Sequence, residues 1–150
     1  MSRTILKGIE QGRADYAFQC AKEGYTIKKG ATLDGVKYSD TMYKSYVKKI
    51  PSLIKTNGLG ATLAFVFSKA ASNKQVQKKG KNAYDLLYKQ IHAWLVETNP
   101  ELFSKNGNLV EEIVLINSSE YRTVTMEVLA LLTWVRRFAE GLDKTEEDME

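Results

Sequence analysis

The chain has 150 residues, 43% hydrophobic and 27% charged, with one cysteine and a net charge of +4. That is ordinary for one globular domain burying roughly two thirds of its unfolded surface, and it excludes an internal disulfide or a thiolate metal cluster. No run nears the roughly 18 apolar residues of a membrane span, and the opening MSRTILKGIEQGRAD lacks a signal peptide's apolar core; a soluble cytoplasmic protein in a reducing compartment is expected.

Helical periodicity organises the chain. Ile5, Ile9, Tyr16, Ala17 and Cys20 fall on one face of a first helix, which Gly24 is expected to end or weaken. Arg13 shares that face. It reads as half of a buried ion pair, with a glutamate of the last helix as partner, ahead of direct ligand contact. Residues 28–37, KKGATLDGVK, read as a loop. Ser39 is placed to cap a second helix with Tyr43, Tyr46, Val47, Ile50 and Ile54 inward. Pro51 inside that pattern predicts a kink or a fresh helix start, because its ring meets the carbonyl four residues back.

A third helix carries Leu59, Leu63, Val66, Phe67 and Ala70, and a lysine-rich loop, Ser72 to Lys81, follows it. Asn82 and Asp85 form a capping-box signature for a fourth helix striped by Tyr84, Leu87, Tyr88, Ile91, Trp94 and Leu95. Asn99-Pro100 predicts a short helical turn. Asn108 with Glu111, and Asn117 with Glu120, repeat the cap pattern, and Leu109 to Ile116 reads as helix over strand. The last helix spans about Ser118 to Glu140. Its centre, VLALLTWV, is apolar almost all round, which predicts a central post buried on several sides and terminated by Gly141. The expectation is an all-α, single-domain bundle of about five to seven helices with a buried C-terminal helix. Residues 1–142 would form the bundle, and residues 143–150 an acidic, flexible tail.

Catalytic motifs are absent. Asn57-Gly58-Leu59-Gly60 has two glycines, but a helix precedes it and no Lys-Ser/Thr follows, so Asn57, Gly58 and Gly60 read as a structural turn between helices rather than a phosphate loop. His92 is the only histidine, with no cysteine pair or second histidine to make a zinc site and no nucleophile motif beside it. Glu111, Glu112 and Glu120 sit at helix starts, where carboxylates complement the dipole. Cys20 reads as a small core residue. No catalytic residue, metal, cofactor or small-molecule substrate is expected.

Charge is the one positive chemical signal. Residues 22–89 hold 14 lysines against 4 acids, a net of +10; residues 90–150 have a net of −7. The two halves either neutralise each other within one body or leave a basic face for a polyanion. Lys44, Lys48 and Lys55 recur at four and seven residues on one helix face with Lys49 beside it, and Arg136 and Arg137 lie near the end of the last helix. These six are the candidate RNA-binding residues, giving salt-sensitive, sequence-independent contact. Nothing points to base readout.

Two stretches, IPSLIKTNGLGATLAF (Ile50 to Phe65) and SSEYRTVTMEVLALLTWVRRFAEGL (Ser118 to Leu142), resemble the small helical subunit of the type III-B CRISPR RNA-guided effector, the Cmr complex, in which it is the fifth-named subunit. The opening helix with Arg13-Ala14 and Ala17 is similar too. The resemblance implies an all-α bundle with no activity of its own, stacked in several copies as the minor filament. Its implied partners are the backbone and large Cmr subunits, copies of itself, the CRISPR RNA and the target RNA. The basic face is read from charge alone. The alternative reading is a free-standing, non-sequence-specific nucleic-acid-binding module.

Overall fold

In the computed structural model the backbone is described for residues 2–38, 42–70 and 81–149, and side chains for residues 8, 10–38, 42–70 and 81–144. Ile5 and Ile9, Ser39, the lysine-rich residues 72–80 and the acidic side chains after Lys144 lie outside the described residues. The elements are α1 (Ser2–Lys28), α2 (Tyr43–Asn57), α3 (Leu59–Lys69), α4 (Ala83–Thr98), α5 (Leu109–Ile113) and α6 (Ser118–Met149). Two isolated bridges, Leu33 with Val36 and Tyr38 with Lys81, are the only β pairing among the described residues. The expected all-α class holds.

Local chemistry sets the helix boundaries. The Asn82 side chain accepts from the Asp85 amide while the Asp85 carboxylate accepts from the Asn82 amide, a complete capping box for α4. Asn117 and Glu120 make the same reciprocal pair at the start of α6. The third cap differs from expectation: the Asn108 side chain serves the Val110 amide, and Glu111 returns no bond to it.

Three expectations about breaks are corrected. Gly24 lies inside α1, because it admits another helix: a Cβ there would sit 2.1 Å from Cδ1 of the buried Tyr43 ring. Pro51 opens no fresh helix: it lies inside the one that runs from Tyr43 to Asn57. Gly141 lies within α6, which continues to Met149.

The helix seams have readable directions. Arg13 meets Glu127, Phe18 meets Phe138 and Lys28 meets Asp143, so contacts advance together and α1 runs parallel to α6. Lys44 meets Asp143 and Lys48 meets Glu140, so α2 runs antiparallel to it. The core joins Val47, Ile50 and Ile54 of α2, Leu63 and Val66 of α3, and Leu87, Ile91 and Leu95 of α4 to Val124, Val128, Leu131, Leu132 and Val135 of α6. One expectation about α6 needs amending. Its buried residues form a single stripe, while Met126, Thr133 and Trp134 face solvent, because α6 packs chiefly on α1 and α2 rather than at the centre of a ring.

A polar network pins α1, α2 and α4. Buried Gln90 accepts from the Tyr43 hydroxyl through Oε1 and donates through Nε2 to the Cys20 carbonyl and the Glu23 carboxylate. Its own backbone carbonyl accepts from the Tyr16 hydroxyl at 2.7 Å. Burial pushes the Tyr43 and Tyr16 hydroxyls well above the ordinary tyrosine range and the Cys20 thiol up to about 12. Cys20 is therefore an unreactive part of the core.

Candidate nucleic-acid interface

The Asn57 to Gly60 turn is a joint between two helices. Gly58, at φ 89°, closes α2 by donating to the Ile54 carbonyl at 2.8 Å, and its own carbonyl accepts from the Thr62 amide and hydroxyl. The positive φ is the conformation that glycine takes without cost. The Gly60 amide donates to the Tyr121 hydroxyl of α6 at 2.7 Å. One of the amides that a phosphate would need at this helix start is thus already committed. The Tyr121 contact was not visible in the sequence, since it spans 61 positions.

His92 on α4 sits part-buried with Nε2 3.4 Å from Glu112 Oε1. The other Glu112 oxygen accepts from the Ser104 amide and hydroxyl, tying down the loop before α5. Among the described residues no group of three or more histidine, cysteine or acidic side chains is arranged to hold a metal ion.

The six basic candidates divide into two sets. Lys44, Lys48 and Arg136 converge on the α2/α6 seam. Lys44 reaches Asp143 at 2.8 Å, where Lys28 also arrives at 3.0 Å. Lys48 lies 4.0 Å from Glu140, which also accepts from the Arg136 Nε at 3.2 Å. Among the described residues, four cations thus converge on two carboxylates. Burial pushes the Asp143 carboxyl up, but hydrogen bonds from Lys44 and Lys28 outweigh it and hold the carboxyl below its usual range. Lys55 lies two turns along the same stripe of α2, and Arg137 lies beside Arg136; both are exposed.

Lys49 does not join them. It projects from the other flank of α2, where its Nζ stands 5.0, 5.4 and 5.5 Å from the ring centres of Tyr46, Phe65 and Tyr84. It also donates to the Tyr84 hydroxyl at 2.8 Å. Distances under about 6 Å are those of cation–π attraction, so Lys49 is held by an aromatic box while its stem stays exposed.

A cleft of about 940 Å³ opens between α1, α4 and α6. Among the described residues, Asp15, Glu97 and Glu127 line it against a single cation, Arg13. Its acidic rim makes it a poor seat for a polyanion. No helix of the described residues is long and apolar enough to cross a membrane.

Known proteins match this arrangement. The model of the CRISPR-associated protein family Cas_Cmr5 matches residues 9–142. A crystal structure of a CRISPR-associated Cmr5 family protein from Thermus thermophilus superposes with a TM-score of 0.56 at 26% identity, covering 87% of this chain and 96% of that one. The matched span runs from α1 through most of α6 and so includes the turn and the six basic candidates, and it ends one residue before Asp143. The chain belongs to the CRISPR-associated Cmr5 family.

Proposed function

We propose that the chain is a non-catalytic structural subunit of the type III-B CRISPR Cmr complex. It stacks in several copies as the minor filament beside the subunits that grip the CRISPR RNA. Its Lys44, Lys48, Lys55, Arg136 and Arg137 face, with Lys49 on the adjoining flank, helps hold target RNA during RNA-guided silencing. The supporting observation is the α2/α6 seam, where four cations share two carboxylates and two further cations stand exposed nearby. Such a gathering of cations lowers the electrostatic cost of holding a phosphate backbone without reading its bases.

The test is native mass spectrometry of the protein co-expressed with the other Cmr subunits and a CRISPR RNA. The expected result is incorporation in several copies, with no ribonuclease activity from the isolated chain. A chain that stays outside the complex yet binds nucleic acid alone would replace this reading with that of a free-standing binding module.

A further inference from the structure

A second feature of the surface lies across the α1/α6 seam. Phe18 of α1 meets Phe138 of α6 edge-on at 5.1 Å, and Phe138 stacks on Trp134 at 5.6 Å with 24° between the planes. Lys22 stands 4.9 Å above the Phe18 ring. Arg137, exposed, is three residues from Trp134 on the same helix. The result is a row of three rings, with Lys22 over the Phe18 end and Arg137 about one turn along α6 from Trp134.

This row is only partly covered. Phe18 is 36% exposed and Trp134 42% exposed, a large apolar area for a face that no other element of the described residues covers. Neither Lys22 nor Arg137 has a carboxylate partner among the described residues. Glu23 is taken by Gln90, Glu127 by Arg13, and Glu140 by Arg136.

A nucleobase needs only a ring face to stack on and a nearby cation for its phosphate. We infer that the Phe18–Phe138–Trp134 row, with Lys22 and Arg137, is a stacking platform for unpaired bases of single-stranded RNA. Paired bases are already stacked on their neighbours and offer no free face. The inference rests on the RNA-facing reading above and narrows it: the lysine seam would hold any phosphate backbone, and the ring row would select unpaired nucleotides.

Fluorescence tests it directly, because the chain has two tryptophans and Trp94 is buried. The full-length protein is titrated at low salt with a short oligouridylate and with an RNA duplex of equal phosphate number. The expected result is saturable quenching of Trp134 by the single strand and little by the duplex. W134A, with helicity checked by circular dichroism, should lose about tenfold in single-strand affinity and keep its duplex affinity. W134F should retain most of the single-strand affinity. Absence of quenching, or equal losses for both RNAs, overturns the platform. So does a W134A protein whose self-association or incorporation into the Cmr complex fails while RNA affinity is unchanged, since the row would then be a protein contact. Failure of the wild-type chain to enter the complex would instead count against the subunit reading.

Discussion

Arg13 and Glu127 meet side-on across the parallel α1/α6 seam. Nε of the guanidinium donates at 2.6 Å to one carboxylate oxygen and Nη2 at 3.0 Å to the other. Both side chains are less than one fifth exposed. The hydrogen bonds to Glu127 raise the Arg13 pKa despite partial burial, so the guanidinium stays charged. Lysine cannot reproduce a planar, two-bond contact. R13K should therefore lose about 1–2 kcal/mol in urea denaturation, and E127Q a similar amount. Each removes a partner from a group that remains half-buried. The R13K/E127Q double variant should lose clearly less than the two single losses combined; additive losses would show that the pair carries no coupling.

Two glycines of the α1/α6 layer, one on each helix, should respond to alanine with opposite signs. A methyl group at position 24 collides with the Tyr43 ring, which is buried and held by its hydroxyl on Gln90. The ring cannot swing aside, so G24A should cost about 1–3 kcal/mol although alanine is the better helix former. A Cβ at Gly141 would meet no atom of the described residues within 4 Å, and its φ is not positive. G141A should stabilise by about 0.5–1 kcal/mol, measured as a rise in Tm.

This contrast shows where the sequence was legible. Periodicity located the helices, and the cap pairs Asn82/Asp85 and Asn117/Glu120 marked two starts, because those interactions are local and carry their own spacing. Arg13 on an otherwise apolar stripe called for a distant acid, and Glu127 supplies it. What Gly24, Pro51 and Gly141 did was not legible, although Gly58 was placed correctly at a helix end. Gly24 looks like a helix breaker until Tyr43 is brought against it, and nothing near Gly24 in the chain announces Tyr43. The same limit applies to the basic residues. Spacing placed Lys44, Lys48 and Lys55 together, but only the fold shows Lys49 turned into the rings of Tyr46, Phe65 and Tyr84. The Phe18–Phe138–Trp134 row was missed for a further reason: its residues lie on two helices more than a hundred positions apart.

Gln90 is the one buried amide that joins three helices, so its loss should be costly in a specific way. Q90M keeps the volume but leaves the Tyr43 hydroxyl buried without an acceptor, a loss of about 1–3 kcal/mol. Adding Y43F removes the orphaned hydroxyl as well. The double variant should recover part of the stability lost by Q90M. If Y43F only added its own cost, the hydroxyl would have found another partner.

Acid should weaken the α2/α6 seam through Asp143. Its folded pKa is lowered, burial being outweighed by Lys44 and Lys28. A depressed carboxylate contributes stability that is present above its unfolded pKa and is lost as pH falls through the folded value. The stability difference between the wild type and D143N should therefore be largest at neutral pH and shrink as the solution is acidified below the ordinary aspartate range. Raising the salt concentration should reduce it, since both lysines are partly exposed.

Lys44 and Lys55 lie on one stripe of α2, but reversing their charges should do different things. K44E removes a cation from Asp143 and sets a second carboxylate against it, so the fold itself should lose stability and a drop in RNA affinity would be hard to interpret. Lys55 is exposed and has no carboxylate partner among the described residues, so K55E should leave stability within about 0.5 kcal/mol of the wild type. Any effect on RNA then belongs to the interface. If Lys55 tracks a phosphate in the assembled complex, K55E should weaken target-RNA binding alike for all sequences. It should also lower the slope of log affinity against log salt by about one. An unchanged slope would place the RNA path elsewhere on the subunit, with the lysines of α2 serving only to neutralise the acids of α6.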